Sequence, residues 1–94
     1  MNLNKIGKVA TAVIQENFGT KVKYHNTVVV EFDIDQIILN SGGWKTLTTK
    51  NRMNQTSNEY NLGFQVFQKD FDWYVDFDGK IIPFKDGMIL ERNK

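Results

Sequence analysis

Apolar and polar positions along this chain follow two different periods. Between positions 3 and 18, Leu3, Ile6, Ala10, Val13, Ile14 and Phe18 recur at helical spacing, with Val9 at the edge of their face. Lys5, Lys8, Thr11 and Gln15 lie opposite. That pattern predicts an amphipathic helix, capped by Asn2 or Asn4 and ended at Gly19, where a left-handed turn comes freely. From Lys21 onward the period shortens. Lys21 to His25 alternates weakly and predicts a first strand, with a turn at Asn26. Thr27 to Phe32 is β-branched and apolar and predicts a second strand. Asp33-Ile34-Asp35 reads as a short turn, with Gln36 to Asn40 returning as its hairpin partner. Ser41-Gly42-Gly43 breaks the pattern.

Thr48 to Asn61 returns to helical spacing, with Thr48 or Thr49 as the N-cap and Leu62-Gly63 closing the segment. This predicted helix is unusually polar, and its one expected buried stripe is Thr49, Met53, Thr56 and Tyr60. Strand character then resumes at Phe64, Val66 and Phe67 and is clearest from Phe71 to Phe77. Asp78-Gly79 signals a tight hairpin. Lys80 to Phe84 follows, and Pro83 marks it as an edge strand. Asp86-Gly87 is a further turn signal, Met88 to Glu91 a last strand, and Arg92 to Lys94 a frayed tail. The predicted fold class is α+β: a small antiparallel sheet packed by an N-terminal helix and a second, polar helix, forming a single domain over residues 1–94.

Composition narrows the function more than the fold. Twelve aromatic residues, seven of them Phe, let a small interior fill with few side chains. The formal net charge of +1 fits neither a general polyanion binder nor a strongly acidic nucleic-acid mimic, so any electrostatic function must be local. The absence of cysteine excludes disulfides, thiol catalysis and Cys-based zinc sites. The longest apolar runs, Val28-Val29-Val30 and Ile37-Ile38-Leu39, are far too short to span a bilayer. The start of the chain lacks the apolar core of a signal peptide. A cytoplasmic location is therefore expected, with no membrane partner.

Two segments carry candidate binding chemistry. In the first, Gly42 and Gly43 precede a predicted helix start whose N–H groups lack partners. Lys45, Lys50 and Arg52 add three cations there, with no acid between Gly42 and Thr56. Cations at a helix N-terminus oppose the helix dipole, and local rules are most often broken at functional sites. Trp44, Lys45, Thr48, Thr49, Lys50 and Arg52 are thus a candidate anion site, for phosphate or a partner's carboxylates. The same residues also fit a solvated helix start, and the spacing is not that of a P-loop. Trp44 is the aromatic best placed to be exposed for stacking, although a buried indole is the reading the sequence favours.

In the second segment, strand alternation sends Phe71, Trp73, Val75 and Phe77 to one face and Asp70, Asp72, Tyr74, Asp76 and Asp78 to the other. That acidic ladder is a candidate partner-binding surface for a basic groove. It also reads as the ordinary solvated face of an antiparallel sheet. Asp-x-Asp spacing alone is weak as a metal signal, no calcium-loop pattern follows, and no metal site or cofactor is expected. His25, with Asp33 and Asp35 nearby in sequence, reads chiefly as surface structure. No Gly-x-Ser-x-Gly elbow occurs, and no catalytic residue can be named.

Ser41-Gly42-Gly43-Trp44 through Gln55, flanked by Thr27-Val28-Val29 and by Ile82-Pro83-Phe84-Lys85-Asp86-Gly87-Met88, resembles short proteins of unassigned function encoded by tailed bacteriophages. The resemblance covers roughly residues 24–90 and implies a phage origin and an α+β fold. Small cysteine-free phage proteins commonly act by binding host machinery. The expectation is therefore a non-enzymatic accessory protein that binds and inhibits a host protein. Its target would be a nucleic-acid-binding defence effector, and anti-CRISPR action is the narrowest form of that reading. A small nucleic-acid or nucleotide-phosphate binding module is the alternative, and a homodimer is a further expected assembly.

Overall fold

The computed structural model describes residues 4–92. In chain order the elements are β1 (Thr11–Gln15), β2 (Thr20–Tyr24), β3 (Thr27–Phe32), β4 (Gln36–Leu39), α1 (Leu47–Tyr60), β5 (Phe64–Lys69), β6 (Asp72–Phe77), β7 (Lys80–Pro83) and β8 (Met88–Glu91). They form two antiparallel sheets, one of five strands in the order β1-β2-β3-β4-β8 and one of three in the order β5-β6-β7. The α+β class holds, but with one helix among the described residues rather than two, and with two antiparallel sheets rather than a single small one.

The helix expected over 3–18 is the clearest correction. Leu3 lies outside the described residues. From Asn4 onward the chain turns through residues 4–10 and then enters the edge strand β1. Of the expected apolar face, Ile6 packs partly buried against the core, but Val13, Ile14 and Phe18 are exposed by 40, 40 and 89%, and Val9 at its edge by 76%. They share no buried face, so the packing that stabilises an amphipathic helix is missing. Ala10 at φ 53° breaks the helical path outright.

The large sheet is built from β1 to β4, joined in turn by hairpins, with β8 returning from the far end of the chain to pair with β4. Its inner row runs Val13, Val22, Val30, Leu39 and Met88 across the five strands, and the middle three are fully buried. A bulge between Val22 and Lys23 sets both Val29 and Val30 inside. In the small sheet Trp73 and Val75 point inward, and Trp73 meets Phe84 edge-on at 5.4 Å. Pro83 sits on the edge strand β7, as its missing N–H requires.

The polar helix has a physical reason. Strand β5 is the other edge of the small sheet, and α1 packs on it. Asn54 accepts from the Val66 N–H at 2.7 Å and donates to the Val66 carbonyl at 2.9 Å. Ser57 Oγ donates to the Phe64 carbonyl at 2.6 Å and accepts from the Phe64 N–H at 3.0 Å. Helix side chains thus replace a neighbouring strand and close an edge that would otherwise be open for pairing. The buried surface is wider than the expected stripe. Thr49, Met53 and Thr56 are buried as anticipated, but so are Arg52, Asn54, Gln55 and Ser57, while Tyr60 is half-buried. The N-cap is Thr46 rather than Thr48 or Thr49: its side chain accepts from the Thr49 N–H at 3.2 Å.

Candidate functional site

The acidic strand is real but shorter than its sequence. Asp72 and Asp76 are exposed and Tyr74 half-exposed on the outer face of β6, while Trp73 and Val75 are buried behind them. Asp70 and Asp78 are not rungs of the ladder. Each opens a two-residue hairpin turn, at φ 53° and 55°. The outer face is also less purely acidic than the β6 sequence suggests. Lys69 lies opposite Asp72, Gln65 opposite Asp76, and Phe67 opposite Tyr74, with the two rings stacked 5.8 Å apart. On the other side Ile81 faces Asp76 and is 64% exposed. The result is an aromatic centre with carboxylates on either side.

The two turns that flank this strand make an informative pair. Asp78-Gly79 takes φ 55° and 75°, the left-handed pair a twisted hairpin needs, and glycine meets that need without cost. Asp70-Phe71 takes φ 53° and 73° with phenylalanine in the second position. A bulky side chain there is strained by about 1–3 kcal/mol. Phe71 gains no burial in return, being 93% exposed. Sequence alternation put Phe71 on the core face; the turn lifts it out. The signal available beforehand was the Asp-Phe pair at a hairpin position that normally calls for glycine.

The predicted anion site is divided by the fold. Trp44 is 71% exposed, Lys45 is exposed, and Thr48 and Lys50 are half-buried at the first turn of α1. Thr49 is buried, its hydroxyl 3.0 Å from that of Thr46. Arg52 is buried on a different face. Its Nε donates to Thr11 Oγ1 at 2.9 Å, Nη1 to Gln55 Oε1 at 3.2 Å and Nη2 to the Val9 carbonyl at 3.5 Å, and its Cζ lies 5.5 Å from the Tyr24 ring centroid. Gly7 packs so closely on this guanidinium that a Cβ there would come within 2.7 Å of Arg52 Cζ. Arg52 therefore clasps the N-terminal strap to the helix and is not an anion ligand. Lys45 is engaged as well, 5.6 Å from the Phe84 ring centroid.

Beside Trp44 lies a cleft of about 400 Å³ between the β2–β3 turn and the start of α1. Tyr24, His25 and Thr27 form one wall, and Ser41, Trp44 and Thr46 the other. His25 is exposed in the turn at φ 54°, its ring 4.4 Å from that of Tyr24. Asp33 and Asp35, near His25 in sequence, sit at the opposite end of β3 from it. Gly42, at φ 66°, lies against Thr27, and a Cβ there would collide with the threonine hydroxyl.

The loop that carries Trp44 is fixed from below by Asp86, whose Oδ1 accepts from both the N–H and the hydroxyl of Ser41 at 2.7 Å. Burial pushes the Asp86 carboxyl up. The Ser41 hydrogen bonds, the charge of Lys45 and the Gly43 N–H outweigh it and hold the carboxyl below its ordinary value. This bond joins two of the segments that carry the tailed-phage resemblance. Among the described residues no group of three or more His, Asp or Glu could hold a metal ion. No helix among them is long and apolar enough to cross a membrane.

The fold and these two open surfaces define a small two-sheet α+β domain whose distinguishing chemistry lies on its outside. The family model of the Kyanoviridae Gp96 protein matches residues 1–91, and the chain belongs to this phage family. No curated protein and no solved structure matches it.

Proposed function

We propose that this phage protein acts without catalysis, by docking the outer face of β5-β6-β7 on a basic surface of a host protein and blocking it. One observation carries the reading. Phe71 stands 93% exposed in a strained turn, next in sequence to Asp70 and to the row of Asp72, Tyr74 and Asp76. A chain that keeps phenylalanine where glycine would fit better forgoes stability for something outside itself. An apolar anchor beside carboxylates and a tyrosine suits an interface with a hot spot and a charged rim. The carboxylates steer the approach of a positive partner. Membership of a phage family favours a host target, and the basic groove of a cytoplasmic nucleic-acid-binding defence effector is the partner this chemistry fits. Anti-CRISPR action is the narrowest version of that role. Asp70 and Asp78 contribute from the turns rather than from the strand.

Charge reversal at Asp72→Lys and Asp76→Lys tests the reading. Both side chains are exposed, so the thermal midpoint should stay within a few degrees of the wild type while inhibition of host defence during infection is lost. A double variant that inhibits as the wild type does would contradict the proposal.

The cleft beside Trp44 favours a second reading, a nucleotide-binding role in which the exposed indole stacks on a base, with Lys50, on the first turn of α1 outside the cleft's lining, as the cation for phosphate. Arg52 has no part in it. Titration of tryptophan fluorescence with nucleotides in wild type and W44F tests this, with quenching that weakens as salt rises and is lost in W44F as the expected result.

A further inference from the structure

The outer face of the five-stranded sheet is separate from both surfaces above, and its charges follow an unusual order. Register places Ile14 beside Lys21, Lys21 beside Glu31, Glu31 beside Ile38, and Ile38 beside Ile89. This row faces away from the buried valines, since neighbouring residues of a strand point to opposite faces. Crossing the sheet, it reads apolar, positive, negative, apolar, apolar. Ile14 and Ile89 at its two ends are 40 and 52% exposed. The helix packs on β2, β3 and β5 from the inner side.

We propose that this face pairs with the same face of a second copy of the chain. A two-fold axis parallel to the strands, passing between β2 and β3, maps the first four positions of the row onto one another. Lys21 then lies over Glu31 of the second copy, Glu31 over its Lys21, and Ile14 over its Ile38. Lys23, which pairs with Val28 in register, lays its aliphatic stem over the second copy's Val28, keeping its ammonium at the rim. An axis running across the strands would instead stack Lys21 on Lys21 and Glu31 on Glu31. The row therefore selects one isologous arrangement and rejects the other. Strands of the two sheets run in nearly the same direction across such an axis, the aligned mode of face-to-face packing. An unrelated partner would match this order by coincidence, whereas a second copy matches it by symmetry. Lys21 Nζ also lies 3.5 Å from Glu16 Oε2 of its own chain. The two side chains are 32 and 50% exposed, so the pair is partly screened by solvent, and it leaves the ammonium able to turn outward.

The test is molar mass by light scattering on the full chain across a concentration series, with circular dichroism on every variant. The wild type should show twice the 10.9 kDa chain mass. K21E and E31K should each raise the dimer dissociation constant at least about tenfold through like-charge contacts, and the double variant K21E/E31K should restore the dimer. Should K21E fold poorly, I14K places a charge over the second copy's Ile38 from an exposed edge position and should also give a folded monomer. A wild type that stays monomeric throughout overturns the proposal. A dimer unaffected by K21E, E31K and I14K overturns it too, as does a double variant that stays monomeric. D72K/D76K lies on the other sheet and should leave the mass unchanged, so this test is independent of the host-binding reading.

Discussion

Phe71, Arg52 and Asp86 each hold a position that the fold alone would fill differently or could not do without. Replacing Phe71 with glycine gives the Asp70 turn the composition of the Asp78-Gly79 turn. F71G should raise stability by about 1 kcal/mol, measured by chemical denaturation, while weakening partner binding. Stability unchanged or lowered would mean that the exposed ring is not a strained cost. Arg52 is the converse, a cation that looks functional in sequence and is structural in space. R52M removes donors from Thr11 Oγ1, the Val9 carbonyl and Gln55 Oε1, and should cost about 2–3 kcal/mol while leaving the salt dependence of any nucleotide binding unchanged. Asp86 has a folded-state pKa below its unfolded one. Its stabilising contribution is therefore fully present above the unfolded carboxylate value and is lost as pH falls through the folded value. The stability gap between wild type and D86N should be widest near neutral pH and close in acid; a gap independent of pH would contradict the assignment.

At the scale of elements, the polar helix is explained by the strand edge it closes. N54L keeps a helix-compatible side chain of similar size but strands the N–H and carbonyl of Val66. It should destabilise by about 2–4 kcal/mol, and hydrogen exchange should accelerate first at Val66 and its neighbours in β5. Loss spread evenly over both sheets would speak against edge closure. Most strands from Lys21 to Glu91 were legible in the sequence because turn residues bracket them: Asn26, Asp33-Ile34-Asp35, Asp78-Gly79 and Asp86-Gly87 all mark turns in the structure. β1 was not legible. An edge strand exposed along most of its length imposes little alternation, and the apolar residues around it fell by chance at helical intervals. The buried polar face of α1 was hidden for a related reason, since nothing in Asn54 or Ser57 announces that its partner is a backbone ten or so residues away.

At the scale of the whole molecule, the two sheets and the helix formed by the described residues meet so that each sheet keeps one face open. The sequence marked the Asp70–Asp78 strand and the Trp44–Arg52 segment as candidates, but not the cleft beside Trp44, which needs Tyr24, His25 and Thr27 from the β2–β3 turn as its other wall. The fold alone could move Arg52 inward, because that placement depends on its distant partners Thr11 and Val9, whereas burial of Thr49 and the turn at Asp78-Gly79 were legible in the sequence. Family membership supports phage origin, and the host-binding role rests on the surface chemistry. The most direct test of that role is a quantitative pull-down from host lysate with tagged wild type, D72K/D76K, F71G and K50E, each with and without nuclease. The predicted result is one host protein captured in stoichiometric amount by wild type and K50E, retained after nuclease, and lost with D72K/D76K and F71G. Equal capture by all four proteins, or a partner that disappears with nuclease treatment and with K50E, would contradict it.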